Sequence, residues 1–179
     1  MFEEQRLFGE TEQSIRLDTR RGSPIENARP LEPSGSEDYK FQIFWQEHRG
    51  HTWKIRSLPD IHYNCAGHVW ASRRTCIYET AEWRKILEQD GYRKTNQPVS
   101  DDLVLYWLED NSLAHVARVC RLVDSGLSRP TPHVISKWGD TGGEVFHLVS
   151  EVPSAIRGRY EFWTDRQRDA TGLPQSPVT

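Results

Sequence analysis

The first 38 residues carry few apolar positions and no helical or strand period. Arg20-Arg21-Gly22-Ser23-Pro24 and Pro30-Leu31-Glu32-Pro33-Ser34-Gly35-Ser36 concentrate charge, proline, glycine and serine. Such stretches bury too little apolar area to offset the entropy lost on ordering. Residues 1–38 therefore read as a flexible or extended arm, with a segment that binds a partner protein or regulates as its functional alternative. Residues 169–179 read as a disordered tail for the same reason. Between them, 39–168 read as one domain without internal repeats. It opens at 39–45, whose aromatic and apolar content fits a strand or a short helix. A helix is expected from 64 to about 73, because the Asn64 side chain can accept from a first-turn amide and Ala66, Val69 and Trp70 share a face. A second helix has Thr80 as its cap, Glu82 at its positive end, the stripe Trp83, Ile86, Leu87, and Gly91 as its stop.

From Leu103 the period changes. Residues 103–108 are a continuous apolar run of strand length, Glu109-Asp110-Asn111-Ser112 is a turn, and 113–123 is the return strand. Asp124-Ser125-Gly126-Leu127-Ser128 breaks it. Further strands are expected at 133–138, 144–149 and 159–163, with Gly139-Asp140-Thr141-Gly142-Gly143 as a tight turn. The Gly142-Gly143 pair reads as turn chemistry, since no Gly-rich loop opens a helix there to cradle a phosphate. Helices followed by an antiparallel meander make an α+β layout.

Composition narrows the function classes. The apolar fraction of 36% is low for a fully packed domain, which polar ends explain. A formal charge of −3 gives no reason to expect nucleic acid as a partner. No apolar run is long enough to span a bilayer. Met1-Phe2-Glu3-Glu4-Gln5-Arg6 lacks the apolar centre of a secretory signal. The expectation is a cytoplasmic protein, or one exported by a route without a standard signal peptide. Three cysteines, Cys65, Cys76 and Cys120, are too few and too scattered for a disulfide framework. Most of the seven tryptophans fall between Trp45 and Trp163 and mark the core.

Candidate chemistry centres on Cys65 and His115. Cys65 directly follows the proposed cap, where first-turn amides lower a thiol pKa and can hold an oxyanion. His115 follows a turn and begins a strand, so its ring can face a helix end. A thiol and an imidazole on different elements are the minimum of a cysteine hydrolase. The bland alternatives are a small buried hydrophobe for Cys65 and a satisfied core histidine for His115. Cys76 and Cys120 read as structural. A zinc site from His62, Cys65 and His68, with Cys76 following, is a further alternative.

Asn64-Cys65-Ala66-Gly67-His68-Val69 resembles the Asp-Cys-Ser-Gly-Leu-Val signature of NlpC-type peptidases of the papain-like superfamily. Asp101-Asp102-Leu103-Val104-Leu105-Tyr106 resembles their Pro-Gly-Asp-Leu-Val-Phe strand, and Leu113-Ala114-His115-Val116-Ala117 their His-Val-Gly strand. The likeness spans about 63–123. It implies a papain-like fold, a cysteine-bearing helix packed on a central antiparallel sheet, Cys65 as nucleophile and His115 as base. Asn64 replaces the usual aspartate and His68 a leucine. The third group, which orients the histidine, falls on the following strand, where His133, Ser136, Lys137 and Asp140 stand. Charged lysine cannot accept a hydrogen bond. Ser136-Lys137-Trp138-Gly139 with His147 resembles a motif of uncharacterised papain-like proteins. That likeness favours Ser136 and His147 as site-lining residues; Ser136 is the candidate third catalytic residue, and Asn64 and His147 are the candidates for substrate contact. The resulting expectation is a cofactor-free thiol hydrolase cleaving an amide or isopeptide bond in a peptide or protein, a cell-wall peptide if the family's habits carry over. The alternative is a non-catalytic papain-like binding module.

Overall fold

The computed structural model describes residues 12–31, 37–124, 126, 130–139 and 142–166. In chain order it has β1 (Glu12–Gln13), β2 (Arg29–Pro30), α1 (Glu37–His48), β3 (Lys54–Ile55), α2 (Cys65–Trp70), α3 (Thr80–Gln89), β4 (Arg93–Thr95), β5 (Leu103–Trp107), β6 (Leu113–Val123), β7 (Thr131–Lys137), β8 (Glu144–Leu148), a 3-10 turn (Ser154–Ile156) and β9 (Arg159–Thr164). Two-residue β1 and β2 pair with each other, and the other strands form one seven-stranded sheet in the order β3-β8-β7-β6-β5-β9-β4. Every pairing is antiparallel. This is an α+β architecture.

Helices cover the sheet on both faces, which is why β5 is apolar at every position instead of alternating. On one face Leu103 and Leu105 pack with Cys65, Ala66 and Val69 of α2 and with Trp83, Ile86 and Leu87 of α3. On the other, Val104 and Tyr106 pack with Phe41 of α1, Trp53, Trp138 and Val145. The expected meander holds from β5 through β8. β9 then crosses to the other side of β5 and lies between it and the edge strand β4, with Tyr160 opposite Tyr106.

Several local expectations change. Residues 39–45 belong to a helix, α1, on which Phe41, Phe44 and Trp45 fall at i, i+3 and i+4 and pack together on one side. The cysteine helix is shorter than expected and stops at Trp70, because Ser72 and Arg73 take positive φ of 49° and 65°. Thr80 is not a cap but lies inside α3, whose N-cap is Glu79.

Of the residues read as a flexible or extended arm, 12–31 form an extended strap packed on the domain, which corrects the flexible half of that reading. Ile25 is buried in the core on the α2 side. Ala28 and Cys76 exchange backbone hydrogen bonds of 3.1 and 2.9 Å, and Thr19 Oγ1 donates to Gln89 Oε1 at 2.7 Å. A single well-placed isoleucine and paired backbone order a segment whose composition alone argues for disorder. The expected tail, 169–179, lies outside the described residues, as does Asp140.

Candidate active site

Asn64 sets the start of α2. Its Oδ1 accepts from Gly67 N at 2.9 Å, the cap expected from the sequence. The same oxygen accepts from Ile77 N at 3.1 Å, and Nδ2 donates to Ile77 O at 2.9 Å. Asn64 is thus buried and fully engaged in holding the cysteine helix. It does not line the cavity at Cys65, and its expected role in substrate contact gives way to a positioning one. Gly67 is required by packing: a Cβ there would lie 1.7 Å from the Thr75 carbonyl oxygen.

Cys65 and His115 open onto one cavity of about 450 Å³. Phe41 and Phe44 of α1, Trp138 at the end of β7, and Pro153, Ala155 and Ile156 around the 3-10 turn form most of its wall. The two chemical residues reach it from different sides. Leu105 pairs with Val116, and Tyr106 with His115. Val116 and Cys65 share the core on the α2 face. His115 instead stacks on Trp138, ring centres 4.9 Å apart and 13° between planes, on the α1 face. A bulge at the start of β6 brings them to a common opening: the next pair after Tyr106–His115 is Trp107–Leu113, so Ala114 is the extra residue, and it also lines the cavity.

Among the described residues no hydrogen bond joins Cys65 Sγ to the His115 ring, and His115 Nε2 is buried without a partner. Burial pushes the Cys65 thiol up to about 11, although backbone N–H groups of Val116 and Ala66 and the charge of Lys137 pull the other way. Burial, reinforced by the neighbouring His147 and His68, pushes His115 down to about 3. Both groups therefore rest uncharged at neutral pH.

The remaining candidates lie near this pair but not in it. Ser136 Oγ and His147 Nε2 are 2.8 Å apart, and His147 Nδ1 donates to Leu148 O at 2.7 Å. Both residues are fully buried, and neither lines the cavity. Ser136 thus partners His147; among the described residues it makes no hydrogen bond to His115 and does not serve as its orienter here. Burial also lowers His147 to about 4.

The zinc alternative is not gathered. Among the described residues no group of three or more His, Cys, Asp or Glu side chains can hold a metal ion. His62 Nδ1 lies 2.7 Å from Asp60 Oδ1, and Cys76 Sγ donates to Ile61 O at 3.7 Å. His68 Nε2 sits 3.6 Å from Glu144 Oε1. Glu144 in turn accepts from Tyr63 Oη at 2.9 Å and from the Arg73 guanidinium. Burial opposes the Glu144 charge, but Arg73, His68 and Tyr63 outweigh it and hold the carboxyl below its ordinary pKa. This cluster braces α2 against β8.

Sequence reasoning missed the α1 wall and the turn at 153–156. The spacing of Phe41, Phe44 and Trp45 was a readable signal for the first; Pro153, Ala155 and Ile156 offer no pattern. Comparisons with protein-family models, with curated proteins and with solved structures each found no match. No described helix is long and apolar enough to cross a membrane.

Proposed function

We propose that the protein is a papain-like thiol hydrolase that cleaves an amide or isopeptide bond of a peptide or protein. One observation carries this reading: Cys65, at the start of a capped helix, and His115, at the bulged start of β6, open onto the same cavity. The likeness of the three short motifs to NlpC-type peptidases supports it. In the reaction, Cys65 Sγ attacks the substrate carbonyl carbon while its proton passes to His115. The tetrahedral oxyanion lies toward the first-turn amides of α2. Collapse breaks the C–N bond, His115 gives its proton to the leaving amine, and water then hydrolyses the thioester to a carboxylic acid and the free thiol. Because His115 and Cys65 are not hydrogen-bonded in this structure, substrate must bring ring and sulfur together, and catalytic hydrogen bonds do tighten in this way on substrate binding.

The test is hydrolysis of a peptide-amide library by the wild type, Cys65→Ala and His115→Ala. Both variants are expected to fold and to lose at least about a thousandfold in rate. Hydrolysis by Cys65→Ala at the wild-type rate ends the proposal. The uncharged, unbonded resting pair favours a second reading, a binding module that uses the same cavity without catalysis. Tight binding of a library peptide without turnover by the wild type selects it.

A further inference from the structure

We propose that Trp138 is the positioning residue for His115: its indole, stacked on the imidazole, fixes the ring at the cavity and stabilises the imidazolium formed when the Cys65 proton arrives. These are the two tasks that a hydrogen-bonded third residue performs in a catalytic triad. The inference rests on Cys65 and His115 being nucleophile and base.

Among the described residues no hydrogen bond orients the His115 ring. Its Nε2 is buried without a partner. Ser136, on the neighbouring strand β7, is bonded to His147 instead. What the imidazole does have is an aromatic face. Its centre lies 4.9 Å from that of the Trp138 ring, with 13° between the planes, within the range of offset stacks. Tyr106, its partner on β5, makes only a tilted contact, at 5.6 Å and 46°.

Trp138 is itself locked, as a positioning group must be. It directly follows β7, and its N–H donates to Gly143 O at 3.2 Å. Its carbonyl accepts from Gly142 N at 3.0 Å. A Cβ at Gly142 would lie 2.2 Å from that carbonyl oxygen, so the turn requires glycine there. The indole also stacks on Trp53, at 5.2 Å and 19°, and Trp53 Nε1 donates to Glu151 O at 2.9 Å. His115, Trp138 and Trp53 thus form a linked series of stacked rings tied to the backbone at Glu151. Trp138 lines the same cavity as Cys65 and His115, so the series ends where the chemistry takes place.

The charge that develops calls for such a neighbour. When the thiol loses its proton, its S–H bond breaks, an N–H bond forms on the imidazole, and the ring becomes a cation. An aromatic face attracts a desolvated cation more strongly than one in water. Among the described residues no carboxylate lines this cavity. His147 of β8 and His68 of α2 are held neutral by burial, as is Tyr106. Lys40 of α1, on the cavity wall, opposes a second cation. Besides the thiolate itself, the indole face is therefore the group placed to stabilise the imidazolium.

The experiment has two arms. The first is NMR of protein carrying isotope-labelled histidine, with the His115 signal assigned by its loss in His115→Ala. The His115 ring protons are expected upfield of those of exposed His51, because the stacked indole shields them, and to move back in Trp138→Met. A wild-type signal without that displacement overturns the proposal whatever the variants do. The second arm is kcat and KM on a peptide that the wild type hydrolyses. Trp138→Met is expected to lower kcat about tenfold, and Trp138→Phe, which keeps an aromatic face, to stay within about threefold of the wild type. A folded Trp138→Met that raises KM and keeps kcat makes the indole a piece of cavity wall and overturns its positioning role. If Trp138→Met does not fold, Trp138→Phe decides: a tenfold loss of kcat, or failure to fold, overturns the role as well. In each of these cases the hydrolase reading stands as long as Cys65→Ala is inactive. Absence of hydrolysis by the wild type, or wild-type hydrolysis by Cys65→Ala, ends that reading and this inference together.

Discussion

Asn64 and Ile77 hydrogen-bond in both directions, side-chain amide to backbone amide, as two residues of adjacent strands do. The pair fixes the start of the cysteine helix to the segment that leads into α3. It also explains why asparagine stands where the resembled signature has aspartate: a carboxylate can accept from Gly67 N and Ile77 N but cannot donate to Ile77 O. Asn64→Asp is expected to cost about 1–3 kcal/mol, because it turns a buried bond into a contact between oxygens. Urea unfolding at pH 7 checks this. The Ile77 carbonyl keeps its bond from Trp83 Nε1 at 2.8 Å, so unchanged stability means the new carboxyl has moved out of contact with that carbonyl.

The rate at which Cys65 reacts with a small alkylating agent is expected to climb with pH well beyond neutrality. With the thiol at about 11, the thiolate fraction rises about tenfold per pH unit over the range from 7 to 10. A preformed thiolate–imidazolium pair, as in an active papain-type site, gives instead a plateau in mildly acidic solution. Such a plateau rules out the uncharged resting pair described above.

Acid is expected to destabilise the fold before most carboxylates titrate. His68, His115 and His147 have folded-state values of about 4, 3 and 4. In the unfolded chain they titrate near the ordinary value of about 6.5. Below that value the unfolded state binds more protons than the native state. Stability is therefore full above about pH 6.5 and falls as pH drops toward the folded values, by up to about 1.4 kcal/mol per pH unit for each histidine. Glu144 has the same sign at lower pH: its depressed value adds stability that is lost as its carboxyl protonates. Guanidinium unfolding at pH 7.5 and pH 5 measures the fall, and equal midpoints at the two values contradict it.

Gly67→Ala is expected to prevent folding or to cost at least about 3 kcal/mol, since the new methyl group meets a backbone oxygen that cannot move alone. Gly91→Ala is a control. A Cβ there meets nothing within 4 Å but must accept a φ of 78°, a strain of about 1 kcal/mol. Thermal melts of the two variants should differ clearly, and similar melting points would show that the Thr75 segment yields.

Where the hydrophobic period was strong, the sequence was a good guide. The stripe Trp83, Ile86, Leu87 is buried on α3, and the strands from β5 to β9 fall within a residue or two of the expected ranges. What lay beyond it was geometry set by single residues. The bulge at Ala114 leaves the apolar content of β6 unchanged yet re-aims the side chains on either side of it, because strand faces alternate with a period of two. No residue type announces it. Asp102, part of the strand motif that resembled a peptidase signature, is occupied by a two-pronged pair with Arg166, at 3.1 and 2.7 Å. That role depends on a residue 64 positions away and has no local signal. Charged Lys137 cannot accept a hydrogen bond and so makes no orienter for a histidine. Its burial beside the cysteine helix became visible only once β7 was in place.

The strap at 12–31 has a practical consequence. Arg20 holds Asp90, through backbone and side chain, and also Asp165, so it bridges the end of the second long helix and the final strand. A protein trimmed to the region from 39 onward would lose these contacts, the Ile25 plug and the hydrogen bonds at Cys76. Expression boundaries for biochemical work therefore belong ahead of residue 12, and a protease that nicks the strap would be expected to loosen the cysteine helix from a distance.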